Sequence, residues 1–471
     1  MRVSKLLESL SSFEPCGIES DPEAAFIRND SRIVRAGDVF VAVRGAKLDG
    51  HDYVNQALSR GAILIVSEEK LTCAIPHIVV PDAREALARL AACFFGYPAK
   101  KLRMIGVTGT NGKTSVAYMI HGILEHVGHK SGIIGTIVSE RTTPDAITLH
   151  QTLRDMVDQG CEYCVMEVSS HALVQNRVDG IRYHTAVFTN LQQDHLDYHS
   201  SMEDYFVAKR KLFFQTDWAV INTGDEWGRR ILGTTNAGRV IRYAVRNEIA
   251  ELTAGDINCL PDAVEFTAIY SGRNAPVRWA TPGLFSVQNA LAAIGICLAC
   301  ELTLEQIAQA MGELKPVKGR MERVPVPADF TVLIDYAHTP DALKNVLLTA
   351  KQACKGRLIA LFGCGGDRDR AKRPLMGQAV SSLPDIAIVT SDNPRTEPPM
   401  QIIEDILKGM TGEPIVYPDR KEAIFEALRI AQTDDVLILC GKGHEDYTEI
   451  NGQKLHFDER EIVAEYFGIK S

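Results

Sequence analysis

Two periods of hydrophobicity alternate along the chain. Short apolar runs of strand length, bounded by Gly, Pro and polar residues, are followed by stretches whose apolar residues return every three or four positions. The first hundred residues read GDVFVAVRG, YVNQALSRG, AILIVS and IVV, then the helical pattern AREALARLAACFF, which predicts a small α/β unit. Tyr97, Pro98 and the basic AKKLR stretch predict a linker. From Met104 to about Leu314 the runs GIIG, CVMEV, AVFTNL and WAVINT alternate with helical patterns, as in a parallel sheet. A hairpin-like stretch covers Arg239 to Trp279, and the helical patterns FSVQNALAAIGICLACEL and TLEQIAQAMGEL close this part. KPVKGRMERVPVPADF predicts a second linker. A third α/β series follows through TVLIDYA, RLIALFG, DIAIVTSD and DDVLILCGKG. The expected fold class is α/β in three domains, 1–98, 99–316 and 317–471: a small N-terminal α/β domain, a central ATPase-like parallel sheet with a phosphate loop, and a Rossmann-like C-terminal domain. There is no internal repeat and no low-complexity segment.

One loop carries chemistry on its own. In GVTGTNGKTS, residues 106–115, an apolar run ends in a glycine loop and a helical pattern opens at Lys113 and Thr114. Gly109 and Gly112 let backbone N–H groups turn toward an anion, with Thr110, Asn111 and Ser115 completing the loop. Lys113 offers a point charge to terminal phosphates and Thr114 a hydroxyl to Mg²⁺. The spacing departs from G-x-x-x-x-G-K-[ST], since position 107 is Val and the glycine stands at Gly106. A structural Gly-rich turn is the alternative, but the strand and helix around it favour a nucleoside triphosphate.

Composition narrows the rest. At 471 residues the chain exceeds what one core organises. With 45% hydrophobic and 24% charged residues it reads as globular, and no apolar run reaches the roughly 18 residues that cross a bilayer. The start, MRVSKLLESLSSFEPCG, lacks a signal-peptide core, so a cytoplasmic, membrane-free protein is expected. A net charge of -9 argues against a nucleic-acid partner that needs many phosphates neutralised. The eleven cysteines, among them Cys93, Cys259, Cys354 and Cys440 in apolar patterns, read as reduced thiols. Two C-x-x-C spacings, Cys161/Cys164 and Cys297/Cys300, fit core packing better than zinc because one lies in a strand pattern and the other in a helix pattern. Polar motifs gather after the strands of the third series, where open sheets hold their ligands: DYAHTPDA, GCGGDRDRAKRP, SDNPRTEPP and GKGHEDY.

TGTNGKT, EVSSH, NLQQDHLDYH, GLFSVQNALAA, GRMERV, DYAHTPDAL and DNPR, in that order over nearly the whole chain, resemble the Mur ligase family. The resemblance implies ATP-dependent amide ligases that build the peptide stem of peptidoglycan, with domains for a UDP sugar, for ATP and for the incoming amino acid. Such chemistry needs cations around transferring oxygens, because a carboxylate is first phosphorylated and then attacked by an amine. By the same matching Lys113, Glu167, His195 and Lys209 are the expected catalytic residues. Thr114, Glu167, His195 and Lys209 are the expected Mg²⁺ ligands, Lys209 as a carbamate. On its own, the Asp194, His195, Asp197, His199 cluster also reads as a transition-metal site, and Lys209, Arg210 and Lys211 as a solvated helix face.

Asn289, Arg320 and Asp335 match nucleotide contacts. For Asn289 a polar residue at a helix N-terminus is the alternative. Ser31, Thr142, Thr143, Ser169, Gln175 and Arg177 match contacts to a UDP-N-acetylmuramoyl dipeptide, with Arg141 standing where the family commonly has Asn. Asp392, Asn393, Pro394 and Arg395 resemble the signature of members that add meso-diaminopimelate rather than lysine, with Arg368, Gly441 and Glu445 as further contacts. Arg395 offers a planar fork for the second carboxylate, although DNPR also reads as an Asx-Pro turn. Small-molecule substrates, ATP, Mg²⁺ and a monomer are therefore expected. A folylpolyglutamate-type ligase, a lysine-adding ligase and a nucleotide-binding switch are the rivals.

Overall fold

The computed structural model describes all residues except 46–47, 73–74, 140, 197, 247–249, 261 and 470–471. Asp197 therefore lies outside the described residues. The elements assemble into three main sheets, each with its own apolar core.

The first sheet has five strands in the order Glu14–Cys16, His77–Val79, Leu64–Ser67, Val39–Val41, Ile27–Arg28, with only the first pair antiparallel. The helix Ala83–Phe94 covers it, capped by Asp82, whose carboxylate accepts from the N–H groups of Arg84 and Glu85.

The second sheet has nine strands. From the middle to one edge it runs Thr216–Asn222, Tyr183–Phe188, Arg103–Thr108, Tyr163–Glu167, Ser131–Ile134, all parallel. The strand Tyr163–Glu167 is buried throughout, as a strand covered on both faces must be. The chain leaves Arg103–Thr108 for one side of the sheet and later returns to the other. The end of that strand is thus a topological switch point, where such sheets open a crevice. The hairpin-like segment divides in two: Arg239–Tyr243 joins the parallel part, and only Leu252–Cys259, Val264–Tyr270 and Arg273–Trp279 form an antiparallel meander. The helix Leu284–Ala299 is apolar nearly all round because it is wedged between the helix Lys113–His126 and this sheet.

The third sheet runs Glu322–Val324, Thr331–Asp335, Val436–Cys440, Leu358–Phe362, Ile386–Thr390, Ile415–Tyr417, parallel except for the first. The segment expected as a second linker thus contains an edge strand. It is three residues long and follows the basic KGRM, so its apolar alternation is too short to register. The first linker carries a short 3₁₀ turn, Pro98–Lys101. A separate hairpin, Tyr447–Ile450 with Gln453–His456, follows the third sheet.

The described cysteines are free. Cys164, Cys297 and Cys300 are buried in core positions, and no group of three or more potential metal ligands occurs among the described residues. Cys259 differs from expectation: it is exposed at the end of its strand.

Candidate active site

A cavity of about 1080 Å³ connects the ends of the second and third sheets. Its floor is the phosphate loop. Gly109 (φ +150°) and Gly112 (φ +85°) adopt backbone angles that L side chains avoid, and neither has room for one. A Cβ on Gly109 would overlap Thr189 Oγ1, and one on Gly112 would overlap Asn289 Oδ1. Asn289 is thus an interior residue of the helix Leu284–Ala299, packed against the loop, rather than a residue at its N-terminus. Thr110 N–H donates to the Asn190 carbonyl and Asn111 N–H to Asn190 Oδ1, both at 2.9 Å. The loop is therefore moulded on the residues after the strand Tyr183–Phe188, a partnership across nearly eighty residues that sequence reading did not foresee.

Cations converge on this floor. Lys113 Nζ donates to the carbonyls of Gly109 (3.0 Å) and Thr110 (2.8 Å). Lys209 Nζ donates to the Gly109 carbonyl at 2.7 Å and lies 4.6 Å from the centre of the Tyr205 ring. The solvated-face reading fails for Lys209, which is 1% exposed, whereas Arg210 and Lys211 are half-buried. Burial, and then the charge of Lys113, push the Lys209 ammonium well below its ordinary pKa. Burial also lowers Lys113, opposed by Glu167 and Asp194.

Thr114 Oγ1 donates to Glu167 Oε2 at 3.1 Å and accepts from Arg320 Nη2 at 3.1 Å. Glu167 also accepts from Thr136 N–H at 2.9 Å. Asp335 is held by the N–H groups of Met321 and Ala337, each at 2.7 Å, and burial raises its pKa.

His195 has left-handed backbone (φ +56°), and its imidazole lies 3.5 Å from Asp194 and 5.0 Å, centre to centre, from that of His171. Burial pushes the His195 imidazole down to about 3 against the pull of Asp194, so it is neutral. Although burial works the other way, His195, Lys372 and His338 bring the Asp194 carboxyl down to about 2. Lys372, on the helix Lys372–Val380, reaches Asp194 at 3.9 Å and joins the two sheets' sides of the cavity. Its signal in the sequence was only the basic end of GCGGDRDRAKRP.

Thr142, Thr143, Ser169 and Arg177 line a second wall. Thr143 Oγ1 donates to the Glu167 carbonyl at 2.8 Å, and Arg177 Nη1 to the Thr143 carbonyl at 2.8 Å. Arg141 lines the same wall, and after burial its charge is what most lowers Arg177. Gln175 lies behind this wall, accepting from Arg177 Nε at 3.0 Å. Ser31 lies apart in the first sheet's unit, bonded to Gln56 Oε1 at 2.5 Å, and is not brought to the cavity.

The far wall comes from the third sheet. Arg368, Asp392, Asn393, Arg395, Gly441 and Glu445 line it, while Pro394 is buried behind. Asn393 Nδ2 donates to Glu445 Oε2 at 2.8 Å, and Lys442 Nζ donates to Asn393 Oδ1 at 3.1 Å from a fully buried position. Burial and Asp392 raise the Glu445 carboxyl. Arg395, with φ +52°, pairs through Nε with Glu449 at 2.9 Å, so its fork is partly taken within the chain.

Family models cover the three sheets in turn. "Mur ligase family, catalytic domain" matches residues 23–95, "Mur ligase middle domain" 107–297 and "Mur ligase, glutamate ligase domain" 319–443. A Clostridium botulinum protein named UDP-N-acetylmuramoyl-L-alanyl-D-glutamate--2,6-diaminopimelate ligase is 43% identical, covering 99% of both chains. One of the same name from Clostridium tetani is also 43% identical over 99% of both. The chain belongs to the Mur ligase family.

A solved structure of a protein of that name superposes with a TM-score of 0.72 at 33% identity, covering 99% of each chain. In this Mur ligase the middle-domain match spans the phosphate loop, Glu167, His195, Lys209 and Asn289. The third match begins at Gly319, beside Arg320, and ends at Gly443 within GKGHE.

Proposed function

We propose that this Mur ligase joins meso-diaminopimelate to the D-glutamyl carboxylate of UDP-N-acetylmuramoyl-L-alanyl-D-glutamate, coupled to ATP cleavage, in the cytoplasmic assembly of peptidoglycan precursors. The observation that carries it is one cavity lined at one end by a phosphate loop and at the other by Arg368, Asp392, Arg395 and Glu445. Two carboxylates and two guanidinium groups suit an amino acid with two ammonium and two carboxylate groups, and a nucleotide switch has no use for them.

Phosphoryl transfer to the D-glutamyl carboxylate gives an acyl phosphate, which the amine attacks with loss of phosphate. Lys113 and Arg320 offset the charge on the transferring oxygens, and the loop N–H groups hold the phosphates. Asn289 and Asp335 take nucleotide contacts, while Thr142, Thr143, Ser169 and Arg177, with Arg141 beside them, take the muramoyl dipeptide.

The donors that line the cavity beside the phosphate loop fit Mg²⁺: the Thr114 hydroxyl and Glu167 carboxylate are hard oxygens, and the single neutral His195 imidazole suits an ion that keeps several waters. Bound there, the ion would neutralise phosphate oxygens. Lys209 supports a carbamate role, since burial favours its neutral amine. That neutral nitrogen adds to the carbon of CO₂ and loses a proton, so that an anion stands where an ammonium would. The enzyme is expected to act as a monomer.

The test is phosphate release from ATP with each co-substrate withheld in turn. Release that needs both the muramoyl dipeptide and diaminopimelate supports the ligase, and release that needs neither would end it.

A further inference from the structure

The guanidinium of Arg395 is held on two sides. Nε donates to Glu449 Oε2 at 2.9 Å and Nη1 to the Gly366 carbonyl at 2.8 Å. Both acceptors are themselves fixed. Gly366 N–H donates to the Asn393 carbonyl at 2.9 Å, and a Cβ at Gly366 would overlap the Pro394 carbonyl. Glu449 stands in the first strand of the hairpin Tyr447–Ile450/Gln453–His456, and its backbone is tied to the loop that carries Arg395. Glu449 N–H donates to Asn393 Oδ1 at 2.9 Å, Arg395 N–H to the Glu449 carbonyl at 3.0 Å, and Asn451 N–H to the Arg395 carbonyl at 2.9 Å.

The hairpin contributes little core of its own. The strand Gln453–His456 is exposed throughout, as are Ile450 and Leu455, yet Tyr447 and Lys454 line the cavity. What the hairpin does secure is the loop 392–395 and the guanidinium upon it.

We infer that this hairpin aims Arg395, with Glu449 as the positioning residue that selects for an amino acid bearing a distal carboxylate. The inference rests on the reading of Arg395 as the group that meets that carboxylate. With Nε and one N–H of Nη1 engaged, the two N–H groups of Nη2 and the second N–H of Nη1 remain to meet a ligand carboxylate. A carboxylate that merely stood in for the ligand would have to leave when the ligand arrived. Two backbone–backbone bonds and one from Glu449 N–H to the Asn393 side chain hold residues 449–451 to the loop, which keeps the Glu449 carboxylate within reach of the guanidinium.

The experiment is a kinetic cycle on the full-length enzyme with Glu449→Ala, Arg395→Ala and the double variant, measuring KM for diaminopimelate, ATP and the muramoyl dipeptide. Glu449→Ala is expected to raise KM for diaminopimelate roughly tenfold, because a loosened binding group loses its geometry. The other two KM values should stay within twofold, Glu449→Ala should add nothing in the Arg395→Ala background, and Glu449→Gln should recover part of the loss. If Arg395→Ala raises KM while Glu449→Ala leaves it unchanged or lowers it, the positioning role is overturned and the reading of Arg395 survives. Equal losses from Glu449→Ala in both backgrounds overturn it as well. An unchanged KM in Arg395→Ala removes the underlying reading and this inference with it.

Discussion

The two ends of the cavity are built in different ways. The phosphate loop is a backbone device: two glycines with no room for Cβ, N–H groups at a helix start, and main-chain carbonyls that accept from the Lys113 and Lys209 ammonium groups. The opposite end is a side-chain device in which Arg395, Glu449, Asn393, Lys442 and Glu445 hold one another across 49 to 56 residues. A backbone device tolerates little change within the loop, and its distant partners, Asn190, Lys209 and Asn289, serve to hold that main chain in place. A side-chain network spreads its function over residues that never touch the ligand.

The largest expected effect tests the backbone end. Lys113→Ala should lower kcat by roughly 10³-fold, since one preorganised charge at a transition state contributes about 3–4 kcal/mol. Binding of the muramoyl dipeptide, measured by calorimetry, should hardly change. Near-normal turnover would mean that the loop N–H groups alone manage the phosphates.

Next comes Lys209→Ala. If Lys209 serves as a carbamate, the variant should lose roughly 10²-fold or more and regain activity in added acetate or formate, which refill an anionic position beside the metal. Loss without rescue would leave Lys209 as a buried amine propping the Gly109 carbonyl, a wholly structural part of the backbone end.

At the side-chain end, Arg395→Ala should lower kcat/KM for diaminopimelate by roughly 10²-fold, the value of about 3 kcal/mol for a charged bidentate contact. ATP kinetics should stay put. Lysine should be a poor substrate for both enzymes, because Arg368 and Glu445 still shape the pocket. Efficient lysine addition by the unmodified enzyme would reduce DNPR to a turn.

The contrast also explains what the sequence made legible. GVTGTNGKTS is contiguous, and its meaning follows from strand, glycines and helix start in one stretch, so the loop was readable at once. The long strands, buried throughout, announced themselves as apolar runs. Two- and three-residue strands such as Ile27–Arg28, Glu322–Val324 and Ile415–Tyr417 did not, because no period fits in so few residues. The burial of Lys209 was hidden because AKRK has the look of a wet helix face, and only the approach of Tyr205 and the Gly109 carbonyl dries it. Glu449, Asn190 and Lys372 were missed for a related reason: each acts through a partner far along the chain.

The smallest effect concerns stability, and it separates the cavity from the core behind it. His150, buried in the helix Ala146–Asp158, has no hydrogen-bond partner at either ring nitrogen, and burial pushes it down to about 4. Burial also lowers His338 and His444 at the cavity to about 4. In the unfolded chain each imidazole takes up its proton near pH 6.5, but in the folded chain only near 4. Between those values the unfolded state binds the extra protons, so stability falls as pH drops from about 6.5 and the loss is complete below about 4. Above 6.5 these groups contribute no pH dependence. Urea unfolding at pH 7.5 and pH 5.5 should therefore show a lower midpoint at the acid pH. His150→Leu should remove part of that difference while leaving kcat at pH 7.5 nearly unchanged, since the residue lines no part of the cavity. If the His150→Leu midpoint falls with acid as steeply as that of the unmodified chain, the acid sensitivity belongs to the cavity histidines, and ligand binding at the cavity should then suppress it.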